Sequence, residues 1–412
     1  LSGISVASDF SFPDPAGLSS RTIIEKYYDI CDKVKQLMNI AVNTRLLIRN
    51  RLEGIGWFTC ESLKRITTQH PEHHFYFIFD REYDPEFLFS DNITPIIQFP
   101  QARHPFLYYW WFELTLPALL KKLNPDLFLS PDGYLSLKTG IKSMTVFHDL
   151  NFEHYPHDLP FWTRRYYRYY FPKYAARACR IATVSGYSKG DIVKQYHVDP
   201  AKIDVVYDGY NEAYHPLTED QKKKAREEYS EGNPYFVFIG SLHPRKNLAN
   251  LFRAFDLFKK SNPSEVKLLI VGAKKWWTSD IDMAFQDMVF SDDVVFIGRL
   301  EIDELVMILG SALALTYVSY FEGFGIPVIE AFRCDVPVIT SNVTSMPEVA
   351  GDAALFVDPF SPESISEALY KVANYESLRS DLIIRGRKRK DIFNWQRTAN
   401  LLWESIDKAL KS

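Results

Sequence analysis

Cysteine is scarce. The 412 residues hold four, Cys31, Cys60, Cys179 and Cys334, with no C-x-x-C spacing among them. That scatter excludes a cysteine zinc pattern and a disulfide framework, and the expectation is a reducing, cytoplasmic compartment. No basic-then-apolar leader opens the sequence, so no signal peptide is expected. Long apolar runs are also missing. The longest uncharged stretch, 305–321, approaches the lower limit for crossing a bilayer, but Gly310 and Ser311 divide it and β-branched residues follow, so it reads as a buried helix running into a strand. Neither sign of charge dominates: 48 Lys and Arg against 52 Asp and Glu leave −4. No global positive field points to nucleic acid as a partner.

What is present is a globular composition, 46% hydrophobic and 24% charged, in a chain too long for one ordinary core. From Met38 onward, short β-rich runs alternate with longer amphipathic ones, the pattern of βα units around a parallel sheet. The first series of strands is expected at 39–47, 74–79, 94–99, 127–130, 144–147, 181–184 and 203–206. The second is expected at 235–240, 266–272, 294–297, 312–317, 336–340 and 354–357, after a charge-dense helix at 219–231. This gives an α/β protein of two Rossmann-like, doubly wound domains facing each other across a cleft. Residues 38–210 form the first domain and 211–391 the second, followed by a last segment at 392–412. Residues 1–37 are an N-terminal extension, with Ile23, Ile24, Tyr27, Tyr28, Cys31 and Val34 at helical spacing; a docking helix, a misplaced start and an expression remnant remain open. Ligands of doubly wound sheets bind at the carboxyl ends of the strands, here the cleft.

Two segments carry the chemistry. In Phe321-Glu322-Gly323-Phe324-Gly325-Ile326-Pro327-Val328-Ile329-Glu330-Ala331 a strand ends near Ser319, glycines turn the chain, and Pro327 suits a helix's first residue. Free backbone N–H groups and the positive end of the helix fit a diphosphate, while Glu322 and Glu330 suit sugar hydroxyls. A plain strand-to-helix turn with solvated carboxylates is the alternative. In Gly240-Ser241-Leu242-His243-Pro244-Arg245-Lys246-Asn247-Leu248, two adjacent cations after the first strand of the second series would neutralise a departing diphosphate without a metal. Surface helix-capping charges are the competing reading.

The first segment resembles the E-x7-E motif of retaining glycosyltransferases of group 1, family 4, which have the GT-B fold. The likeness continues through Cys334-Asp335-Val336-Pro337-Val338 and Met346-Pro347-Glu348-Val349-Ala350, and it implies that 38–210 is the acceptor domain, onto which a helix at 392–412 crosses back, and that 211–391 is the donor domain. It implies that Glu322 lies near the donor sugar, that Glu330 binds the ribose, and that Gly323, Phe324, Gly325 and Ile326 line the donor. The second segment is similar to the family's arginine-lysine loop, so Gly240, Ser241, Arg245 and Lys246 are assigned to the phosphates. Relatives carry a further arginine where this chain has Ser241. Gly54-Ile55-Gly56 resembles the family's glycine loop, with Gly54 and Gly56 beneath donor and acceptor. His148-Asp149 resembles its His-Asp pair, whose histidine faces the donor sugar, although a histidine at a strand end is more often structural. Thr183-Val184-Ser185-Gly186-Tyr187-Ser188 matches a turn expected to be mainly structural. The loop with Arg299 and Leu300 is placed by the same likeness beside the nucleotide base, and Val271 to Trp277 in the loop after the preceding strand.

Aromatic and basic residues concentrate at 159–180, where Phe161 and Trp162 precede Arg164, Arg165 and Arg168. Such a mixture suits an anionic membrane surface carrying a lipid-linked acceptor, or a half-buried helix with solvated arginines. The run 105–120 is an acceptor wall or core.

The resemblance implies transfer of a hexose, mannose as first choice, from a nucleotide diphosphate sugar to a hydroxyl of a saccharide or lipid-linked acceptor, with retention. Catalytic roles go to His148, Glu322, Arg245 and Lys246, and neither cofactor nor metal is expected. Bacterial polysaccharide or glycolipid assembly fits the family, and the aromatic and basic stretch allows peripheral contact at the inner membrane face. A sugar phosphorylase on the same scaffold and a silent sugar-nucleotide-binding subunit are the alternatives. A nicotinamide oxidoreductase is disfavoured because Gly54-Ile55-Gly56 lacks the third fingerprint glycine.

Overall fold

Leu127-Phe128-Leu129 and Tyr235-Phe236-Val237-Phe238-Ile239 are buried along their whole length, as only the interior of a helix-covered parallel sheet allows. The computed structural model describes residues 37–274 and 277–411. Its first sheet contains β1 (Asn39–Asn43), β2 (His74–Phe79), β3 (Ile93–Ile97), β4 (Leu127–Ser130), β5 (Ser143–Phe147), β6 (Arg180–Thr183) and β7 (Ile203–Val205). Its second contains β8 (Tyr235–Ile239), β9 (Lys267–Val271), β10 (Val294–Gly298), β11 (Ala314–Tyr317), β12 (Val338–Ser341) and β13 (Leu355–Val357). The strand orders are 3-2-1-4-5-6-7 and 10-9-8-11-12-13, and neighbouring strands run parallel throughout. Each sheet therefore has a topological switch point beside its first strand, between β1 and β4 and between β8 and β11.

Helices α1 (Gly54–Gln69), α2 (Phe161–Arg177), α3 (Gly186–Tyr196), α4 (Glu219–Ser230), α5 (Leu248–Ser261), α6 (Ile326–Arg333) and α7 (Trp395–Lys411) position the residues discussed here. The closing helix α7 lies on the first sheet's side, where Thr398 donates to the Tyr207 carbonyl and Ser405 and Lys408 hold Asp204. The uncharged stretch at 305–321 begins in the helix Ile302–Gly310 and runs into β11. No helix among the described residues is long and apolar enough to cross a membrane. The extension 1–37 lies, except for Leu37, outside the described residues, as do Lys275 and Trp276 of the loop after β9.

Both expected series of strands form, with ends displaced by a few residues. The largest displacement is in β1, which stops at Asn43 instead of continuing to 47. There Asn43 and Arg45 turn inward onto Asp132, which breaks the strand although Leu46, Leu47 and Ile48 keep it apolar. The glycines Gly54 and Gly56 open α1 behind Glu53 instead of forming a loop ahead of it. The aromatic segments divide between core and surface. Trp111, Phe112, Tyr166, Phe171 and Tyr174 are buried, while Phe106, Trp110, Phe161, Trp162 and Tyr169 are exposed. Each fully buried ring contributes about 1.5–3 kcal/mol.

Candidate active site

β8 ends in Gly240, and the chain then makes a short turn, Pro244–Lys246, before α5. His243 caps that turn, its Nδ1 accepting from the Arg245 N–H at 3.3 Å. Burial, with Arg245 nearby, lowers its pKa to about 4, so the ring stays neutral and able to accept. Asn247 locks the far side by donating to the carbonyls of Val318 (3.0 Å) and Pro359 (2.6 Å). Lys246 is thereby held 7% exposed, which rules out a surface charge.

The second loop follows β11 and leads into α6. Gly325 is its N-cap at φ +105°, in the left-handed region that a side chain resists, and a Cβ there would lie 2.5 Å from Met346. The helix begins at Ile326, one residue before the expected Pro327. Ser345 donates to the carbonyls of Glu322 and Phe324, pinning the turn from behind.

The two loops meet. Lys246 Nζ donates to Glu322 Oε1 at 2.6 Å and also bonds the Tyr317 hydroxyl; Arg245 reaches Glu322 Oε2 at 3.4 Å. Arg245 also bonds Asp149, on the first domain, at 3.1 Å. The cations are thus paired with carboxylates rather than standing clear, as buried charges must be. Burial alone would raise the Glu322 pKa, but Lys246 and Arg245 hold it down to about 2. Glu330, half-buried in the second turn of α6, has no such cation. Burial pushes it up to about 8 against the pull of the Tyr214 hydroxyl.

His148 follows β5, its ring edge-on to Phe58 of α1 at 5.0 Å. Its Nε2 lies 2.8 Å from the Pro131 carbonyl and must carry the proton, since a carbonyl only accepts. Burial lowers its pKa, leaving a neutral ring. Gly323 presses against the same corner, where a Cβ would fall 2.0 Å from the His148 carbonyl oxygen. Across the cleft Ser185 donates to the Gly323 carbonyl at 2.7 Å, and Tyr320 to Asp158 at 2.7 Å. Glu348 accepts from the N–H groups of Gly186 (2.7 Å) and Tyr187 (2.9 Å) at the start of α3 and from the Tyr207 hydroxyl (3.0 Å).

Of the residues singled out in the sequence, the structure brings His148, Arg245, Lys246, Glu322 and Gly323 into one junction, with Phe324, Gly325, Ile326 and Glu330 continuing along α6. Gly240 stands behind Lys246, whose Cε is 3.8 Å from where a Cβ would be. Ser241 is exposed beside it. Arg299 and Leu300 follow β10 at the sheet's edge, and Arg299 reaches across to the Asn50 carbonyl at 3.2 Å. Gly54 is exposed and Gly56 buried in the first turn of α1. Asp149, Tyr317 and Glu348 were missed as site residues. Asp149 and Glu348 lie inside the His148-Asp149 and Met346–Ala350 segments, but their partners are distant in sequence.

The family described as glycosyl transferases group 1 matches residues 219–389, and glycosyltransferase family 4 matches 62–214. O-antigen chain mannosyltransferase B of Escherichia coli is 27% identical over 278 residues, covering 67% of this chain and 73% of that one. O-antigen chain mannosyltransferase RfbU of Salmonella typhimurium is 30% identical over 267 residues, 65% of this chain and 70% of that one. Sucrose-phosphate synthase from Thermosynechococcus elongatus shares the fold at a TM-score of 0.72 and 17% identity, over 90% of this chain and 98% of that structure. With two parallel-sheet domains in this arrangement, the chain belongs to the group 1, family 4 glycosyltransferases and has their GT-B fold.

Proposed function

We propose that this glycosyltransferase moves a mannosyl residue from a nucleotide diphosphate sugar, with retention, to a hydroxyl of a saccharide or lipid-linked acceptor in bacterial polysaccharide assembly. The observation that carries this reading is the convergence of Arg245 and Lys246 with the Glu322-to-Gly325 loop at the N-terminus of α6. The O-antigen mannosyltransferases it resembles support the choice of sugar. The diphosphate takes the two cations and the α6 backbone N–H groups; Glu322 and neutral His148 face the sugar; Glu330 meets the ribose, and Arg299 and Leu300 the base. The C1–O bond to the diphosphate breaks and the acceptor oxygen bonds to C1 on the same face. Its proton passes to the departing phosphate oxygen. Lys246 and Arg245 supply the charge a divalent cation otherwise would, so the transfer itself is proposed to need no metal.

Phe161, Trp162, Arg164, Arg165, Arg168 and Tyr169 line an open groove of about 740 Å³, which supports peripheral contact with an anionic membrane holding the acceptor. Flotation with anionic but not neutral vesicles, lost in Arg165→Glu/Arg168→Glu, tests that part. For the donor, a thermal-shift screen of GDP, UDP and ADP sugars is expected to give the largest rise with GDP-mannose. If no nucleotide diphosphate sugar raises Tm, the reading fails.

A further inference from the structure

The end of the first sheet opposite the cleft carries a second cluster of chemistry-bearing side chains. Helix α1 stops at Gln69, and the turn His70-Pro71-Glu72-His73 leads into β2. Glu72 Oε1 lies 3.8 Å from His70 Nδ1 and 3.7 Å from His73 Nε2. One ligand atom from each of the three residues falls within 4.8 Å of the others, an arrangement found nowhere else among the described residues. Two ligands bound to a tetrahedral zinc at about 2.0–2.1 Å are themselves roughly 3.4 Å apart, so the three groups already stand close to coordinating distance.

Two further observations show that the turn is built. Asn92 shares its side-chain NH2 among the carbonyls of Thr67 (3.2 Å), His70 (3.1 Å) and His73 (2.9 Å). That fixes the backbone on which both imidazoles stand, the preorganisation a metal site needs. Trp403 of α7 then covers the cluster, its indole stacked on His70 at 3.7 Å and on His73 at 5.2 Å between ring centroids. His73 is 2% exposed by side chain and His70 17%, while Glu72 at 27% faces outward. Asn92 thus fixes the turn from one side and Trp403 stacks on both rings.

We propose that His70, Glu72 and His73 form a structural site for one divalent transition-metal ion of the zinc class. Two neutral imidazoles and a carboxylate suit zinc, and the absence of thiolates argues against a softer ion. The strands' amino ends place the site away from the transfer chemistry. Its role is to hold the shape of the turn on which Trp403 of α7 stacks.

The test uses the full chain, stripped with EDTA and dialysed against micromolar Zn2+. The wild type is expected to retain one equivalent more zinc than Glu72→Gln or His70→Ala and to gain at least about 2 °C in Tm on zinc addition. Both variants lose that gain, with zinc binding at least about tenfold weaker. Glu72→Gln changes the most exposed of the three groups, so a folding defect does not mask the result. His74→Ala, which alters the next histidine in sequence, bonded instead to Thr94, keeps the wild-type response. Equal zinc content in wild type and Glu72→Gln, or no zinc-dependent rise in Tm in the wild type, overturns the proposal and leaves a plain histidine–carboxylate cluster.

Discussion

Each sheet places a cation just after its first strand and a carboxylate after the neighbouring strand, across its switch point, and the two pairs have opposite surroundings. In the first sheet Arg45 bonds Asp132 at 2.6 Å and the Ala102 carbonyl at 3.0 Å, with Tyr134 stacked 4.5 Å from the guanidinium. Asp132 also accepts from Asn43 and Ser130 at 3.0 Å each. The pair is sealed by aromatic rings and its bonding capacity is consumed. In the second sheet Lys246 and Glu322 are as deeply buried, but one side of the junction is a glycine turn and a helix N-terminus. The same topology gives an ion pair enclosed by bulky rings in one sheet and, in the other, a pair that abuts a closely packed glycine turn and the first residues of α6.

The largest expected effect tests the sealed pair. Arg45→Ala strands the Asp132 carboxylate in the core and should cost about 3–5 kcal/mol in urea unfolding, whereas Arg45→Met with Asp132→Leu should recover most of it. A single variant as stable as wild type would break the comparison from its structural side. Next comes the pair beside the glycine turn. Lys246→Ala should lower kcat/KM by about 2–4 kcal/mol of transition-state stabilisation. Stability should fall less than for Arg45→Ala, since Glu322 keeps Arg245. Near-normal transfer would remove Lys246 from the phosphate role.

The fold was legible because hydrophobic period and strand spacing are local. β4 and β8 read as buried strands from their residues alone. The Lys246–Glu322 contact joins residues 76 positions apart, and only likeness to a family linked the two motifs beforehand. Arg45 was hidden because Leu46, Leu47 and Ile48 extend the apolar pattern of β1 past its true end. The cluster at His70 has no cysteine spacing to mark it, and its two histidines and glutamate come together only in the turn after α1. Asp149 and Glu348 have partners on the opposite domain, 96 and 162 residues away at Arg245 and Gly186, and no local pattern encodes them.

The third effect sets the two glutamates of one motif against each other. Glu330 is raised from 4.5 to about 8. Below pH about 4.5 it is protonated both folded and unfolded. Between about 4.5 and 8 only the unfolded chain gives up the proton, so stability falls as pH rises, and above about 8 that loss is complete. Glu330→Gln should therefore flatten the decline and leave the variant about 2 kcal/mol more stable than wild type at pH 8.5, after a discount for its partial exposure. Glu322, held at about 2, works in the other sense: its contribution is complete above pH about 4.5 and is lost as pH falls toward 2. Parallel stability profiles for wild type and Glu330→Gln between pH 5 and 8.5 would place Glu330 in water.

The smallest effect asks whether the junction at Lys246 and Glu322 also depends on the closeness of the two domains. Glu348 accepts two backbone N–H groups at the start of α3 and the Tyr207 hydroxyl, an anion at a helix N-terminus reached from the other domain. Gln at this position keeps the shape and one acceptor but loses the charge, and one charge-assisted contact exchanged for a neutral one is worth about 1 kcal/mol. Because Glu348 lies outside the reacting groups, the loss should appear as an approximately fivefold higher KM for the donor with kcat nearly unchanged. Stability of the isolated chain should shift little, since each domain keeps its own core. A drop in kcat with KM unchanged would instead place Glu348 among the groups that act on the transition state, and the junction would extend further into the second domain than the Lys246–Glu322 pair alone.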